Sequence, residues 1–186
     1  DSRNHPEFPT FGSKFIWTSI FSGDILGGHE NYHKHIFDFV WYNELFPDKR
    51  VGKEVAIYQN FKFGALKELS EDQFIPYNAR FVLGGSGTPY GEMLRGYPDN
   101  GIGPKRNSGF YSTYDGGKIL FKYASELRFK ISDSPAMYAF VFAEAGNIWT
   151  DFETIDIFDL KRSIGLGVRL NMPMLGTLGY DVGYGF

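Results

Sequence analysis

Apolar and polar residues alternate along several stretches of the chain, and residues 118–131 show this pattern most clearly. Apolar side chains occupy the odd positions Ile119, Phe121, Tyr123, Leu127 and Phe129. The even positions carry Lys118, Lys122, Glu126, Arg128 and Lys130. Successive side chains of a β-strand point to opposite faces of the sheet, so this alternation predicts a strand with one apolar face and one charged face.

The same alternation predicts seven strands. They cover residues 13–22, 32–44, 53–64, 118–131, 137–149, 160–172 and 177–186. A strand of about ten residues crosses a bilayer when it is tilted, with lipid on one face and water on the other. The periodicity alone leaves one alternative open, a soluble β-sandwich, whose apolar strand faces pack together in a dry interior.

The lengths of the connections separate these two interpretations. Long connections are predicted at about 23–31, 66–117 and 150–158. Short turns are predicted at 46–50, 132–135 and 173–176. Outer-membrane barrels have long extracellular loops and short periplasmic turns, so this alternation favours an all-β fold, an antiparallel transmembrane β-barrel.

The number of predicted strands is odd, and the last strand reaches Phe186 with an open edge. Bacterial single-chain barrels usually have an even number of strands, and an exposed strand edge is not tolerated in hydrocarbon. We therefore expect the chain to form part of a larger barrel.

Composition narrows the function classes further. The chain is 42% hydrophobic and 18% aromatic, yet it has no uncharged apolar run of about 18 residues, so no transmembrane helix is predicted. It has no cysteine, which excludes disulfides and thiolate metal sites. A net charge of -3 offers no basic field for nucleic acid. The sequence starts at Asp1 without an export signal, so we expect such a signal to be removed or to lie upstream.

The connection at about 66–117 carries three motifs in a fixed order. They are Gly84-Gly85, then Leu94-Arg95-Gly96-Tyr97, then Ile102-Gly103-Pro104. Connections of this length are uncommon and usually functional. In these residues the sequence resembles the Omp85 superfamily, and most closely its BamA-like assembly branch, whose sixth extracellular loop carries a Val-Arg-Gly-Phe/Tyr motif. Leu94 is a mild departure from that motif.

Two further motifs extend the resemblance over nearly the whole chain. The family's Phe-x-Asp-x-Gly strand motif is matched by Phe142, Glu144 and Gly146, with Glu in place of Asp. The family's Glu-Leu-Arg-Phe-Pro is matched by residues 126–129, with Lys130 in place of Pro. The resemblance implies that residues 1–186 are the carboxy-terminal portion of the barrel, a partial barrel similar to strands nine to fifteen of sixteen.

Residue parity places Glu126 and Glu144 on the polar faces of neighbouring strands. Two carboxylates close together repel each other and favour a cation between them. An arginine pairs with two carboxylates better than a lysine does, because its planar guanidinium donates several charge-assisted hydrogen bonds. The resemblance implies that the long loop folds into the lumen and that Arg95 contacts Glu126 and Glu144. It also implies a tight turn at Gly96 and packing of Tyr97 on the inner wall. The alternative is that Arg95 and the two acids each face water separately.

Five glycines share the polar faces of the last two predicted strands. They are Gly165, Gly167, Gly179, Gly183 and Gly185. Glycine in a strand marks bending or a close approach of other groups. We consider two explanations, curvature alone and a pliable wall near the seam of the barrel.

Other chemical signals in the sequence are weaker. His29, His33 and His35 have a spacing that suits a metal, but no cysteine or second group of ligands accompanies them. The acids of residues 151–159 lack the spacing of a calcium loop, so a solvated loop is predicted there. The glycines at 84, 85 and 87 do not form a phosphate-binding motif. We therefore predict no metal site and no cofactor.

The resemblance implies an outer-membrane protein insertase that binds unfolded β-barrel clients and assists their insertion into the bacterial outer membrane. It implies contacts with membrane lipids and with accessory lipoproteins of an assembly complex, and neither nucleic acid binding nor enzymatic activity. Three alternatives remain: a two-partner secretion transporter, the barrel of a lipase-fused member, and a passive pore. The number of upstream periplasmic repeats would separate the transporter, which usually has two, from the assembly factor, which has several. An upstream Gly-x-Ser-x-Gly would identify the lipase fusion, and steady conduction with tolerance of changes at Arg95 would identify the pore.

Overall fold

The structure, a computed structural model, describes residues 1–23, 30–46, 54–69, 75–86, 91–108, 111–172, 174 and 176–186. The strands in these ranges are β1 (Gly12–Ser22), β2 (Tyr32–Glu44), β3 (Val55–Glu68), β4 (Lys105–Ser108), β5 (Tyr111–Tyr114), β6 (Ile119–Asp133), β7 (Ala136–Trp149), β8 (Lys161–Met172) and β9 (Gly176–Gly185). Two short 3-10 helices, Tyr77–Ala79 and Phe152–Thr154, lie in connections. None of the helices in the described ranges is long and apolar enough to span a membrane.

Seven strands form one antiparallel sheet in the order β1-β2-β3-β6-β7-β8-β9, which confirms the predicted fold class. The third strand is longer than predicted and ends at Glu68 instead of residue 64, because its last residues continue the ladder with Tyr32 and His33 of β2. The sequence also gave no signal for the hairpin of β4 and β5, which lies inside the long connection.

The predicted turns are only partly covered by the described residues. The turn expected at 132–135 is tight, since β6 ends at Asp133 and β7 begins at Ala136. Most of the turn at 46–50, half of the turn at 173–176 and most of the loop at 23–31 lie outside the described residues.

One face of the sheet carries exposed apolar side chains. They include Phe15, Trp17, Phe39, Phe61, Val141, Leu166, Tyr180 and Val182. Leu166 is 58% exposed and Tyr180 is 73% exposed. In the part of the chain that the structure describes, no second sheet covers this face, so the soluble sandwich, which needs these side chains in a dry core, does not fit. An apolar outer face is typical of strands that meet lipid.

The long connection packs against the opposite face, which is the inner face. Its buried apolar residues form a common core with β3, β6 and β7. This core contains Leu66, Ile75, Ala79, Phe81, Leu83, Leu94, Ile102, Leu120 and Ile148. Isolated bridges pair Leu83 with Ile102 and Gly85 with Leu94, so the connection has an ordered backbone of its own.

The segment before β1 covers a second part of the inner face. The Asn4 side-chain oxygen accepts hydrogen bonds from the backbone N–H groups of Thr10, at 3.0 Å, and Phe11, at 3.2 Å. This turn places Phe8, which is 4% exposed, against Tyr138, with ring centroids 5.3 Å apart. The inner face is therefore covered by apolar contacts on both sides of its charged centre.

Candidate functional site: a charge cluster on the inner face

Arg95 of the long connection lies between two carboxylates of neighbouring strands. Its Nη2 donates hydrogen bonds to Glu126 Oε1 and to Glu144 Oε1, both at 2.7 Å. Its backbone N–H donates to Glu144 Oε2 at 2.8 Å. Arg95 is only 6% exposed, so these charge-assisted bonds lie in a largely water-free environment.

The register of β6 and β7 explains why the two acids meet. Glu126 lies opposite Phe142, and Glu144 lies opposite Ala124, so the two carboxylates are diagonal neighbours on the inner face. Diagonal neighbours in an antiparallel pair lie within reach of long side chains. A single guanidinium can therefore bridge both.

Four cations and three carboxylates make up the cluster. Arg128 donates to Glu126 Oε2 from Nε at 2.9 Å and from Nη2 at 2.8 Å. Lys122 Nζ lies 3.8 Å from Glu144 Oε1. Arg169 Nη2 donates to Asp181 Oδ2 at 2.7 Å, and Arg95 Nη1 lies 3.7 Å from the same oxygen. Each carboxylate therefore contacts two cations, as a buried charge requires.

The sequence prediction did not include four members of this cluster, namely Lys122, Arg128, Arg169 and Asp181. All four have the inward parity of their strands, and that parity was the signal available. A strand pattern gives the face of a side chain but not its partner on another strand, which depends on register.

The arginine also contacts an aromatic ring of the strand motif. Arg95 Cζ lies 3.6 Å from the centroid of the Phe142 ring, a cation–π geometry. Gly146, four residues along β7, faces Leu83, and a Cβ at this glycine would lie 3.3 Å from the Leu83 side chain and 2.9 Å from the Phe121 carbonyl oxygen. Phe142 thus contacts the arginine, and Gly146 leaves space for Leu83 of the long connection.

Electrostatics keep Arg95 charged within the connection. Burial alone would lower the pKa of its guanidinium, but the hydrogen bond and charge of Glu144, together with those of Glu126, raise the pKa above its ordinary value. Nε and Nη1 of Arg95 have no hydrogen-bond partner among the described residues. These two nitrogens of Arg95 therefore remain available as donors, and Nη1 lies 3.7 Å from Asp181 Oδ2.

The rest of the loop motif connects to the last strands of the sheet. Gly96 has a φ of 86°, and a Cβ there would lie 2.7 Å from the Gly185 backbone nitrogen. The Tyr97 hydroxyl lies 2.9 Å from the carbonyl oxygens of Arg162 and Phe186. Leu94 is fully buried in the apolar core. The four motif residues thus reach β6, β7, β8 and the end of β9.

The inward glycines of β8 and β9 provide room for these groups. A Cβ at Gly165 would lie 2.5 Å from the Phe142 ring, and one at Gly167 would lie 2.5 Å from the Phe140 ring. A Cβ at Gly185 would lie 2.6 Å from the Tyr97 ring. Close approach thus adds a reason for these glycines beside curvature, and a pliable wall near the seam stays a prediction.

The weaker chemical signals do not assemble into a site within the described residues. No group of three or more His, Cys, Asp or Glu side chains comes together there, and His29 lies outside the described ranges. His35 Nδ1 lies 2.9 Å from the Ser19 hydroxyl, and its ring packs beside Trp17. In the connection after β7, Asp159 forms an ion pair with Lys161 at 2.6 Å.

Comparison with known proteins gives consistent similarities. The model of the Omp85 superfamily domain matches residues 1–186. The outer membrane protein assembly factor BamA of Nitratidesulfovibrio vulgaris is 25% identical over 190 residues, which is 99% of this chain and 22% of that protein. The crystal structure of BamA from Haemophilus ducreyi lacking POTRA domains 1-3 matches with a TM-score of 0.78 and 21% identity, over 100% of this chain and 37% of that chain. The structural likeness concerns the fold, and the chain spans 22% of the length of the curated relative.

Proposed function

This chain belongs to the Omp85 superfamily, and on that premise we propose that the protein helps other β-barrel proteins to fold and insert into the outer membrane. Its strands form part of a β-barrel of the bacterial outer membrane. The proposed clients are unfolded outer-membrane proteins, and the proposed partners are membrane lipids and accessory lipoproteins of an assembly complex. The name of the curated relative, an assembly factor, supports this choice over a secretion transporter.

The contact of Arg95 with Glu126 and Glu144 carries the proposal. In our proposal, this contact locks the long connection to the inner face and keeps β6 and β7 in one arrangement. Removing one member of a buried ion pair is strongly destabilising, on the order of 3–5 kcal/mol, because the other charge remains buried without a partner. A lock of this strength would organise the barrel during folding and gating.

In this proposal the protein acts without making or breaking covalent bonds. A client strand can be received by main-chain hydrogen bonds along a sheet edge, which supplies affinity without a cofactor. The charged residues of the inner face contact one another, so we assign them a structural role and propose that the protein is not an enzyme.

The experiment uses the full-length protein in liposomes and an unfolded eight-stranded barrel as client. Folding of the client is followed by its mobility shift on unheated gels. We expect Arg95→Ala to slow client folding at least about tenfold, because the two acids lose their shared cation. Arg95→Lys should recover only part of the rate, since an ammonium group lacks the planar fork of a guanidinium.

Arg3→Ala is the matched control, because Arg3 pairs with Asp1 outside the cluster. Wild-type client folding by Arg95→Ala would refute the lock. Client folding no faster with the wild-type protein than in empty liposomes would refute the insertase itself and favour the transporter or the passive pore.

A further inference from the structure

Glu92 makes a second contact between the long connection and the strands, three residues before Arg95. Lys62 of β3 donates hydrogen bonds from Nζ to Glu92 Oε1 at 3.1 Å and to Oε2 at 3.0 Å. The same Nζ lies 3.1 Å from Asp38 Oδ2 of β2. Glu92 thereby joins an ion-pair chain on strands that Arg95 does not touch.

Backbone hydrogen bonds also hold Glu92 in place. Its N–H donates to the Val82 carbonyl oxygen at 2.8 Å, and its carbonyl oxygen accepts from the Gly84 N–H at 3.0 Å. Asp38 is oriented by Asn60, whose Nδ2 donates to its Oδ1 at 2.5 Å. Hydrogen bonds of their own therefore hold the Glu92 backbone and the Asp38 side chain, the two acids that flank Lys62.

The strand register explains why an acid is needed at this position. Lys62 of β3 lies directly opposite Lys122 of β6, so the inner face carries two lysines side by side. Like charges directly opposite each other destabilise a strand pair. Glu92 places a negative charge on Lys62 of this lysine pair, while Arg95 places a positive charge between Glu126 and Glu144.

The two contacts match opposite charges between the connection and the strands. Glu92 meets the cation Lys62, and Arg95 meets the anions Glu126 and Glu144. Opposing charges exclude wrong arrangements as effectively as matched charges favour the right one. The order of Glu92 before Arg95 in the connection therefore matches the charges of the inner face.

We propose that Glu92 is a positioning residue, a second anchor of opposite polarity that sets the connection so that Arg95 meets its acids. This inference rests on the proposed lock, but it concerns different residues and a different strand pair. It predicts that loss of Glu92 displaces Arg95 while the strand ladder stays intact.

Trypsin cleavage after Arg95 measures that displacement in the full-length protein in detergent. The buried Arg95 backbone is protected when the connection is seated, and cleavage at this bond is counted by mass spectrometry. We expect Glu92→Gln to speed cleavage roughly three- to tenfold, a modest effect because Lys62 and Glu92 are partly exposed to solvent. Lys62→Met should have a similar effect, and the double variant should be no faster than the faster single variant, because both changes remove the same contact.

Glu153→Gln is the matched control, since it removes the same charge from the exposed connection after β7. Client folding is measured on the same variants, with Glu92→Gln expected to fall and Glu92→Asp to recover part of the rate. Wild-type protection of Arg95 in Glu92→Gln would overturn the inference, and so would additive effects in the double variant. If Glu92→Gln exposes Arg95 while every variant folds clients at the wild-type rate, the anchor stands and the proposed role of the lock in client folding fails, whereas the insertase itself fails only if the wild-type protein is no faster than empty liposomes.

Discussion

Asp181 Oδ2 of β9 lies 3.7 Å from Nη1 of Arg95, so the arginine of the long connection reaches a strand beyond the two that carry Glu126 and Glu144. Asp181 is held in this position by Arg169 of β8, which donates to the same oxygen at 2.7 Å. The charge cluster therefore joins β6, β7 and β9 through the Arg95 guanidinium, and β8 through Arg169.

Replacing Asp181 tests this connection to β9. We expect Asp181→Asn to destabilise the barrel by about 1–3 kcal/mol, because Arg169 loses its charged acceptor and Arg95 loses a nearby negative charge. Thermal unfolding of the full-length protein in detergent, followed by circular dichroism, measures the change. Asp133→Asn is the control, since Asp133 is in an exposed ion pair with Lys130. Equal unfolding temperatures for the two variants would show that Asp181 contributes no more than a surface charge.

The Tyr97 hydroxyl gives a local prediction at the end of β9. It lies 2.9 Å from the carbonyl oxygens of Arg162 and Phe186, which also exchange backbone hydrogen bonds with each other. Tyr97→Phe removes a hydrogen bond worth about 0.5–1.5 kcal/mol. We expect hydrogen exchange at the amides of Arg162 and Phe186 to become roughly two- to tenfold faster, with exchange at the centre of β6 unchanged.

An equal increase in exchange rate across β6 and β9 would contradict this prediction, because a general loss of stability speeds exchange at all amides. No change at Arg162 and Phe186 would show that the hydroxyl does not hold the end of the ladder.

Much of this architecture follows from sequence, for a physical reason. Strand alternation is set by a two-residue period, so the seven strands of the sheet, and the inward side of Glu126 and Glu144, can be predicted from residues alone. Register depends on which strands pair and where, and so the facing of Lys62 and Lys122 and the reach of Arg95 to Asp181 could not be predicted.

The long connection shows the same limit. Its motifs identified the residues, and the resemblance implied their partners. The strands β4 and β5 have only four residues each, too few for a clear periodic signal, and the bridge of Leu83 to Ile102 joins residues that are distant in sequence. The role of Glu92 depends on Lys62, thirty residues away in sequence, and no local pattern connects the two.

Gly96 offers a test of close packing that separates backbone strain from lack of space. An alanine at Gly96 would combine an unfavourable φ of 86° with a Cβ at 2.7 Å from the Gly185 nitrogen. Gly176 has a similar φ of 84° but open space around its Cβ. We expect Gly176→Ala to cost about 1–2 kcal/mol from strain alone, and Gly96→Ala to cost clearly more, because the connection must also move away from β9.

Chemical denaturation of both variants in detergent gives this comparison. Equal losses of stability in the two variants would mean that the connection moves away from β9 at Gly96 at no additional cost in free energy. A larger loss at Gly96 together with cleavage by trypsin after Arg95 would link the packing of β9 to the seating of the arginine.

The segment before β1 gives the last prediction, at the opposite side of the charged centre from the long connection. Phe8 is 4% exposed and packs with Tyr138, whereas Phe11, three residues later, is 63% exposed. Truncating a buried phenylalanine costs about 3–5 kcal/mol, since both the apolar contact and the filled space are lost. We expect Phe8→Ala to lower the free energy of unfolding of the full-length protein in detergent by roughly that amount, and Phe11→Ala by less than about 1 kcal/mol. Because Phe8 packs on Tyr138, whose ring centroid lies 5.2 Å from Arg128 Cζ, the loss of Phe8 should also increase the exposure of Arg128 to water. A Phe8→Ala variant as stable as Phe11→Ala would mean that the segment rests on the inner face without sealing it.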